Sequence, residues 1–310
     1  MIAHLKGRER VLAPYGWTGR RAEWIALACL HGGIFTRRQW ASFLGCHPEK
    51  VRRAVQAFVR QGVAADEKPV GVRDIGRVCR IHGRAIYRAL GAEGRPRRRV
   101  TSKEVLMRRL LSLDYVLDHP GLPWLPTEPE KVAAFETLGI ERRILPQRLY
   151  RGATGSFRRY FPLRPPVALD AERAVFVHVD PGHDTVTGLR SWGTRHRKLW
   201  EALRDRGVKI GVVAVVRTWR ESMRARTVLA NWTRDPRASE MDRETVREIE
   251  RIDQAILKGD TRVIGEYGSL RVALKRSVAL EKRARRETGR GLVGRGETWE
   301  TRRLAGTRYW

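Results

Sequence analysis

The sequence predicts a mixed α/β protein, α+β overall, in which an N-terminal winged helix-turn-helix precedes an α/β domain. Between residues 20 and 61, three short stretches with helical periodicity are separated by glycine-bearing turns, a pattern typical of a helix-turn-helix. Farther along, the apolar runs 174–179 and 208–216 flank a helical stretch. This order predicts two parallel strands that are joined by a crossover helix and buried on both faces.

The chain carries a formal net charge of +29, with 63 Lys and Arg residues against 34 Asp and Glu residues. Most of the basic residues are arginines, whose guanidinium group stays charged at biological pH and pairs with phosphate through two donors. A coding bias towards arginine would explain the ratio of Arg to Lys, but it would not explain the excess of basic over acidic residues. The charge favours a nucleic-acid partner, with an acidic protein or a membrane surface as the alternatives.

Length and composition narrow the class of protein. A chain of 310 residues predicts two domains, or one large domain with an appendage, and a hydrophobic content of 42% suffices for folded cores. No apolar run approaches 18 residues, and the first residues lack a signal sequence. We therefore expect a cytoplasmic, nucleoid-associated protein without a membrane partner. Cys29, Cys46 and Cys79 have no metal-type spacing, so we expect no metal and no cofactor.

The helical stretches of the first module have recognisable ends. Apolar periodicity predicts a helix over 21–31, which stops at a pair of glycines. Thr36 is predicted to cap a second helix. Pro48 suits the first position of a third helix, which is predicted to end before Gly62.

The third helix is predicted to have an apolar face and a basic face. In a helix-turn-helix, such a basic face enters the major groove, where Arg and Gln side chains read base edges. The alternative interpretation is a basic helix that is merely solvated. By helical spacing, the apolar face holds Val51, Val55, Phe58 and Val59, and the opposite face holds Lys50, Arg53, Ala57 and Arg60, with Gln56 on the flank.

Two further basic segments follow this helix. Residues 63–82 have β-prone ends around a middle with Gly, Pro and charges, which predicts the two-stranded wing of a winged helix. Residues 94–100 form a basic hinge rich in Gly, Pro and Arg, the predicted domain boundary. Cations at the wing tip and in the hinge are expected to lie along the DNA backbone. The residues predicted to contact double-stranded DNA are Arg37, Arg38, Lys50, Arg53, Gln56, Arg60, Lys68, Arg73, Arg97, Arg98 and Arg99.

The order of elements resembles that of a known family. Three helices, a hairpin that ends in RVCRIHGRAIYRALG, and a following α/β segment resemble the replication-relaxation family of plasmids and integrative elements, over about residues 20–235. The family opens the helix after the wing with a Leu-Thr-x-x-Gly pattern, and Ile81-His82-Gly83-Arg84 departs from it. The resemblance implies a degenerate restriction-endonuclease-like fold for the second half. It also implies a DNA-binding role on a mobile element.

The second half of the chain alternates helices and strands. An amphipathic helix is predicted over 101–118, and Thr127 is predicted to cap the next one. The later elements are predicted as a hairpin from 148–151 and 158–163, an edge strand near 165–169, the strand 174–179, a helix over 189–206, the strand 208–216, and helices over 217–232, 240–258 and 269–287. The predicted units are a basic N-terminal arm (1–19), the winged helix (20–93), the hinge (94–100), the α/β domain (101–235), a helical extension (236–287) and a basic tail (288–310).

Any chemistry in the α/β domain would lie where the strand 174–179 ends. A restriction-type nuclease binds Mg²⁺ through an Asp and an acidic-x-Lys element. Asp170 and Asp180 are the candidate carboxylates, but Pro181-Gly182 stand where the lysine is required, so Lys198 would have to replace it. A zinc site at His178, Asp180 and His183 is a poor cage. The remaining interpretation is a turn in which Asp180 accepts local backbone hydrogen bonds.

These patterns together predict a sequence-specific protein that binds double-stranded DNA and controls transcription, replication or transfer on a mobile element. One alternative is a Mg²⁺-dependent DNA nuclease. Another is an adaptor whose α/β domain binds a second copy of the chain or another DNA-processing protein. The tail is expected either to add nonspecific DNA contacts or to fold on a partner, with Trp299 and Trp310 stacking on bases or anchoring that partner. Trp24, Trp40 and Trp200 are predicted core residues.

Overall fold

The protein is a mixed α and β structure, as predicted. The computed structural model describes residues 3–69, 75–94, 102–152, 155–182, 185–233, 247–256, 259–287, 291–301 and 303–304. The helices are α1 (Gly19–His31), α2 (Arg37–Leu44), α3 (Pro48–Arg60), α4 (Arg84–Ala89), α5 (Lys103–Asp118), α6 (Glu128–Thr137), α7 (Thr185–Arg204), α8 (Trp219–Thr233), α9 (described over 247–256), α10 (Thr261–Glu266) and α11 (Leu270–Glu287). The strands are β1 (Ile34–Thr36), β2 (Ala64–Glu67), β3 (Val78–Ile81), β4 (Gln147–Gly152), β5 (Gly155–Tyr160), β6 (Val167–Leu169), β7 (Arg173–Val179), β8 (Lys209–Val216) and β9 (Arg295–Glu300).

The first module combines α1, α2 and α3 with a small antiparallel sheet of order β1-β3-β2. The predicted cap at Thr36 is confirmed, because its hydroxyl accepts a hydrogen bond from the Gln39 amide at 3.2 Å. The Gln39 side chain in turn accepts from the Thr36 amide at 2.9 Å, which completes a capping box. Pro48 occupies the first turn of α3, as predicted. Strand β1 was not predicted from the sequence.

The larger sheet has the order β6-β7-β8-β9. Strands β7 and β8 run parallel, with Ala174 opposite Ile210 and Val179 opposite Val215, so the predicted parallel pair is confirmed. Helix α7 lies between them in the chain. Strand β6 pairs antiparallel with β7 at the edge of the sheet, where its preceding prolines cost no ladder hydrogen bonds.

The two faces of this sheet are both apolar because each is covered. Side chains alternate across a strand, so Val175 and Val213 lie on one face and Phe176 and Val212 on the other. The first face packs against α5, and the second packs against α7 and α8. This coverage explains why β7 and β8 read as continuous apolar runs and not as alternating patterns.

Helix α5 joins the first module to the sheet. Its buried side chains belong to one hydrophobic core that extends from Leu5, through α1 and α5, to Val215 on β8. A helix with neighbours on two sides buries more than one stripe, and α5 buries both Leu106 and Tyr115, which lie nine residues apart on opposite sides of the helix. Of the expected hinge 94–100, only Gly94 lies within the described residues.

The expectation of a basic tail over 288–310 is wrong for its middle. Strand β9 (Arg295–Glu300) pairs parallel with β8, with Val213 opposite Glu297 and Val215 opposite Trp299. The Trp299 ring packs edge-on against Tyr115 of α5 at a centroid distance of 5.4 Å, so this half-buried ring adds to the core and does not lie in a free tail. Trp310 lies outside the described residues. The strand escapes a hydrophobicity pattern because most of its residues are polar and its partner lies about 80 residues earlier.

The prediction of a basic N-terminal arm over 1–19 is also corrected by the structure. Short 3-10 helices form over Ala3–Leu5 and Arg8–Tyr15. Leu5 and Leu12 are fully buried in the main core, and the Arg8 guanidinium pairs with Glu130 at 2.5 Å. Buried leucines at this spacing hold the segment on the first module, so its arginines do not form a free arm.

The helical extension forms a small core of its own. Ile252 of α9 packs with Ala273 and Leu280 of α11. A guanidinium of α9, Arg251, pairs with Glu266 of α10 at 2.6 Å. Across the described ranges, none of the helices combines the length and apolar composition that crossing a bilayer requires.

His196 of α7 makes the stability of the fold dependent on pH. Its ring lies in an aromatic cluster with Trp192, Trp200 and Phe176, and Nδ1 donates to the Trp192 carbonyl at 2.8 Å. Burial lowers the pKa of His196 to about 3, and the nearby charges of Arg195, His178 and Lys131 act in the same direction.

We therefore expect the protein to lose stability as the pH falls from about 6.5 towards 3. In that window the unfolded chain binds a proton at His196 and the folded chain does not, so protonation favours unfolding by about 2 kcal/mol at pH 5. Replacing the residue with an aromatic side chain that cannot titrate, His196→Phe, should reduce the slope of the free energy of unfolding against pH. Urea titrations of both proteins between pH 7.5 and 5 measure this slope, and equal slopes would contradict the prediction.

Candidate nucleic-acid interface

Helix α3 has an exposed basic face, and its opposite face packs against the rest of the first module. Val51, Val55 and Phe58 are buried, as predicted, whereas Val59 is 40% exposed and lies outside the core. Val59 stands at the margin of the apolar stripe, which is why spacing alone misplaced it. The residues on the opposite side, Lys50, Arg53, Gln56 and Arg60, are all exposed, with the small Ala57 half-buried among them.

An aromatic stack fixes the orientation of α3. The Phe58 ring stacks on Trp40 of α2 at 5.3 Å and meets Trp17 edge-on at the same distance. Trp40 in turn stacks on Trp24 of α1 at 6.0 Å, and Trp24 and Trp40 are fully buried, as predicted. Large interlocked rings hold the basic face rigidly, and rigid elements position a binding surface better than loops do.

The cations on this surface differ in whether a carboxylate of the protein forms an ion pair with them. Arg52 pairs with Glu49 on the same helix at 2.5 Å. Among the residues that the structure describes, no carboxylate forms an ion pair with Arg38, Lys50, Arg53 or Arg60. These four side chains therefore keep their charge and donors for an external anion.

Arg37, which is predicted to contact DNA, already forms an ion pair within the protein. Its guanidinium pairs with Asp66 of β2 at 2.6 Å, and the same carboxylate accepts from Arg77 at 2.9 Å. The pair ties the start of α2 to the small sheet, so Arg37 holds the module together. The signal missed in the sequence is the acidic Asp66, which lies 29 residues away.

The remaining predicted contacts have mixed outcomes. Lys68 is exposed just after β2, at the start of the segment between the two hairpin strands. Arg73 and the hinge residues Arg97, Arg98 and Arg99 lie outside the described residues.

The end of β7 is a turn, as in the simplest interpretation of its sequence. Asp180 is buried, and its Oδ1 accepts a hydrogen bond from the Gly182 amide at 2.7 Å. Gly182 has a φ of 103°, a conformation that favours glycine. A cavity of about 230 Å³ adjoins this turn and is also lined by Arg108 of α5.

The structure does not bring the candidate nuclease residues together. Asp170 lies in the turn between β6 and β7, where its Oδ1 accepts from the Glu172 amide at 3.0 Å and from the Arg173 amide at 2.7 Å. It therefore lies at the opposite end of the seven-residue strand β7 from Asp180, roughly 20 Å away at the usual rise per residue. Lys198 is exposed on α7, roughly 20 Å along the helix from Thr185. Within the described ranges, no group of three or more His, Cys, Asp or Glu residues is placed to hold a metal ion.

A second cluster of arginines was missed by the sequence analysis. Arg108 and Arg109 of α5, Arg159 of β5 and Arg164 after the β4–β5 hairpin line a cavity of about 340 Å³. The sequence carried a signal, because the hairpin strands QRLYRG and GSFRRY interleave arginines with aromatic residues.

No protein-family model, curated protein or solved structure matches the chain. The resemblance to the replication-relaxation family therefore stays a prediction from the order of elements.

Proposed function

We propose that this protein binds double-stranded DNA sequence-specifically, with α3 as the helix that enters the major groove. The observation that carries the proposal is the exposed row of Lys50, Arg53, Gln56 and Arg60, held on a rigid aromatic base without carboxylate partners among the described residues. These long donor side chains surround the small Ala57, and a small residue at the centre lets the helix approach base edges closely. A surface that merely needed solubility would gain more from mixed charges.

The arrangement of the first module supports a winged helix. Three helices are followed by the hairpin β2–β3, to which β1 adds a third strand. In that architecture the third helix reads bases and the hairpin contacts the neighbouring backbone, where Lys68 is exposed. The net charge of +29 supplies the long-range attraction to DNA.

The biological role that we propose is control of transcription, replication or transfer on a mobile element. It rests on the resemblance of residues 20–235 to the replication-relaxation family. A nuclease centred on Asp170, Asp180 and Lys198 is not proposed, because these side chains lie far apart.

The test of the proposal is the variant Arg53→Ala. A preferred duplex is first selected from a random library with the full-length protein. Arg53→Ala should weaken binding to that duplex by about 1–3 kcal/mol and relax the preference at one base pair, because it removes a base-reading fork and leaves the core untouched. Fluorescence anisotropy at fixed salt measures both effects.

The matched control is Arg224→Ala. Arg224 is an exposed arginine of α8, on the far side of the larger sheet, so the variant removes the same charge from a remote helix. It should bind the selected duplex within about twofold of the wild type, as expected for a screened surface charge. Equal losses in the two variants would mean that only total charge matters, and the recognition-helix proposal would fail.

A further inference from the structure

The cavity between α5 and the β4–β5 hairpin has a built, strongly cationic lining. It encloses about 340 Å³, between the first half of α5, the hairpin and the segment 161–164. Four arginines line it against a single acidic residue, Glu128. The Glu128 carboxylate already accepts from the Tyr160 amide at 2.8 Å and lies 3.8 Å from the Arg159 guanidinium. Among the described residues, no carboxylate forms an ion pair with Arg109 or Arg164, and Glu128 acts on Arg164 only at longer range.

Two of these guanidinium groups have hydrogen-bond donors that the protein does not use. The Nη1 atoms of Arg109 and Arg164 are buried, and no acceptor among the described residues lies within reach of them. Burial lowers the pKa of Arg109 to about 10, and the positive charge of Arg164 contributes to that shift. Buried donors without acceptors destabilise a fold. Because these donors belong to two neighbouring groups of like charge, they indicate a binding site for an anion, which would accept their hydrogen bonds and offset the repulsion.

The backbone around Arg164 is held in an unfavourable conformation. Phe161, Leu163 and Arg164 have φ values of 49°, 69° and 54°, in the left-handed region that residues other than glycine seldom adopt. The segment is held at both ends, since the Phe161 amide donates to the Pro146 carbonyl at 2.7 Å and Arg164 Nη2 donates to the Gly94 carbonyl at 2.8 Å. Contacts outside the segment thus maintain a strained turn that places Arg164 on the cavity.

The mouth of the cavity offers a flat apolar surface next to these cations. Phe157 and Tyr150 stack on each other at a centroid distance of 5.5 Å across the hairpin, and both line the cavity. Phe157 is 48% exposed, although an aromatic ring on an exposed hairpin gains little from that position. On the same face of the hairpin, the Arg148 guanidinium lies 5.4 Å from the centroid of Tyr150 and that of Arg159 lies 5.3 Å from the centroid of Phe157. Arg151 and Arg158 alternate to the opposite face.

We propose that this cavity binds the terminal phosphate of a nucleic-acid strand, with Arg109 and Arg164 as the phosphate ligands and Phe157 as the stacking platform for the adjacent base. Paired guanidinium donors match phosphate oxygens, and aromatic rings bind unpaired bases of any sequence. A recessed cavity with an open mouth admits a strand end, whereas an internal phosphate of a duplex is read on an open surface. That the phosphate belongs to nucleic acid rests on the proposed function, but the anion site itself does not.

The test compares two single-stranded oligonucleotides of one sequence, one with a 5′ phosphate and one with a 5′ hydroxyl. The wild type should bind the phosphorylated strand about tenfold more tightly, as expected for a bidentate charged pair. Arg109→Gln and Arg164→Gln should abolish this preference, and Phe157→Ala should weaken both strands about equally. The matched control Arg158→Gln removes an exposed charge from the same hairpin outside the cavity and should keep the preference.

Inorganic phosphate separates the possible ligands. If it competes with the phosphorylated strand and raises the melting temperature of the wild type but not of Arg164→Gln, the anion site is supported. Loss of the 5′-phosphate preference in the control as well, or its absence in the wild type, would overturn the proposal. If Arg109→Gln or Arg164→Gln fails to fold, Arg109→Lys and Arg164→Lys keep the charge without the fork and should still lose most of the preference. Duplex binding by α3 is measured separately, so either proposal can fail while the other stands.

Discussion

A chain that ends at residue 290 will unfold at a much lower temperature than the full-length protein. The truncation removes β9, which pairs with β8 from Gly211 to Val216, and it uncovers apolar side chains that β9 shields. Backbone groups on that edge of β8 then lose their partners. We expect a loss on the order of 5 kcal/mol in the free energy of unfolding, from exposed apolar area together with lost hydrogen bonds. Thermal and urea denaturation followed by circular dichroism measure it.

A chain that ends at Leu304 is the control for this truncation. It keeps β9 and the contacts that follow the strand, in which the Thr301 hydroxyl donates to Asp114 and Arg303 donates to Ser42 of α2 at 2.9 Å. Its melting temperature should stay close to that of the full chain. If the chain ending at 290 were equally stable, the pairing of β9 with β8 would contribute nothing, contrary to the structure.

The pairing of β9 with β8 limits how the C-terminal residues can be tested for DNA binding. Thr301 and Arg303 connect the strand end to α5 and α2, so the segment belongs to the body of the protein. Deleting the expected tail would therefore disturb the fold and any DNA contact at once. Charge-removing substitutions on individual side chains are the cleaner way to examine electrostatic binding.

The parts of the fold that were predictable are those with local causes. Thr36 and Thr127 each begin a helix through a capping box, and a capping box is complete within four residues. The parallel pair β7 and β8 was predictable because both strands are buried on both faces, so their sequences are continuously apolar. The exposed face of α3 was predictable because helical periodicity assigns opposite sides without knowledge of the neighbours.

The parts that were missed depend on partners far away in the chain. Strand β9 is polar, and it forms because β8 presents an unpaired edge. Arg37 was predicted only as a DNA contact, and its ion pair with Asp66 of the neighbouring sheet was not foreseen. Asp170 and Asp180 were considered together because they are close in sequence, but a whole strand separates them. The hairpin strands carried a sequence signal for the second arginine cluster, but its position could not be predicted, since α5 and the segment 161–164 meet only in three dimensions.

A single methyl group added between α7 and α8 should destabilise the protein strongly. Gly193 lies in α7, where the tip of the Trp232 indole from α8 crosses the helix backbone. A Cβ at this position would lie 2.2 Å from Cζ2 of the indole and 2.6 Å from Cη2, well inside van der Waals contact. Trp232 also packs against Trp192 and Trp200, so the ring cannot turn away without disturbing that cluster.

We therefore expect Gly193→Ala to lower the free energy of unfolding by about 3 kcal/mol, at the upper end of the range for overpacked cores. Alanine favours a helix over glycine by only about 0.5–1 kcal/mol, so the clash outweighs the gain in propensity. Urea denaturation measures the change. The matched control is Gly265→Ala in α10, where an added Cβ meets no atom within 4 Å, and it should leave stability equal or slightly higher.

A double-mutant cycle identifies the clash as the cause. Trp232→Ala alone should destabilise the protein, because it leaves a cavity beside Trp200. In the Trp232→Ala background, however, the added methyl of Gly193→Ala no longer meets the indole and should cost close to nothing. The loss of unfolding free energy in the double variant should then be smaller, by about 2–3 kcal/mol, than the sum of the losses in the two single variants. If the two changes were simply additive, the close approach of Gly193 to Trp232 would not be what holds α7 against α8.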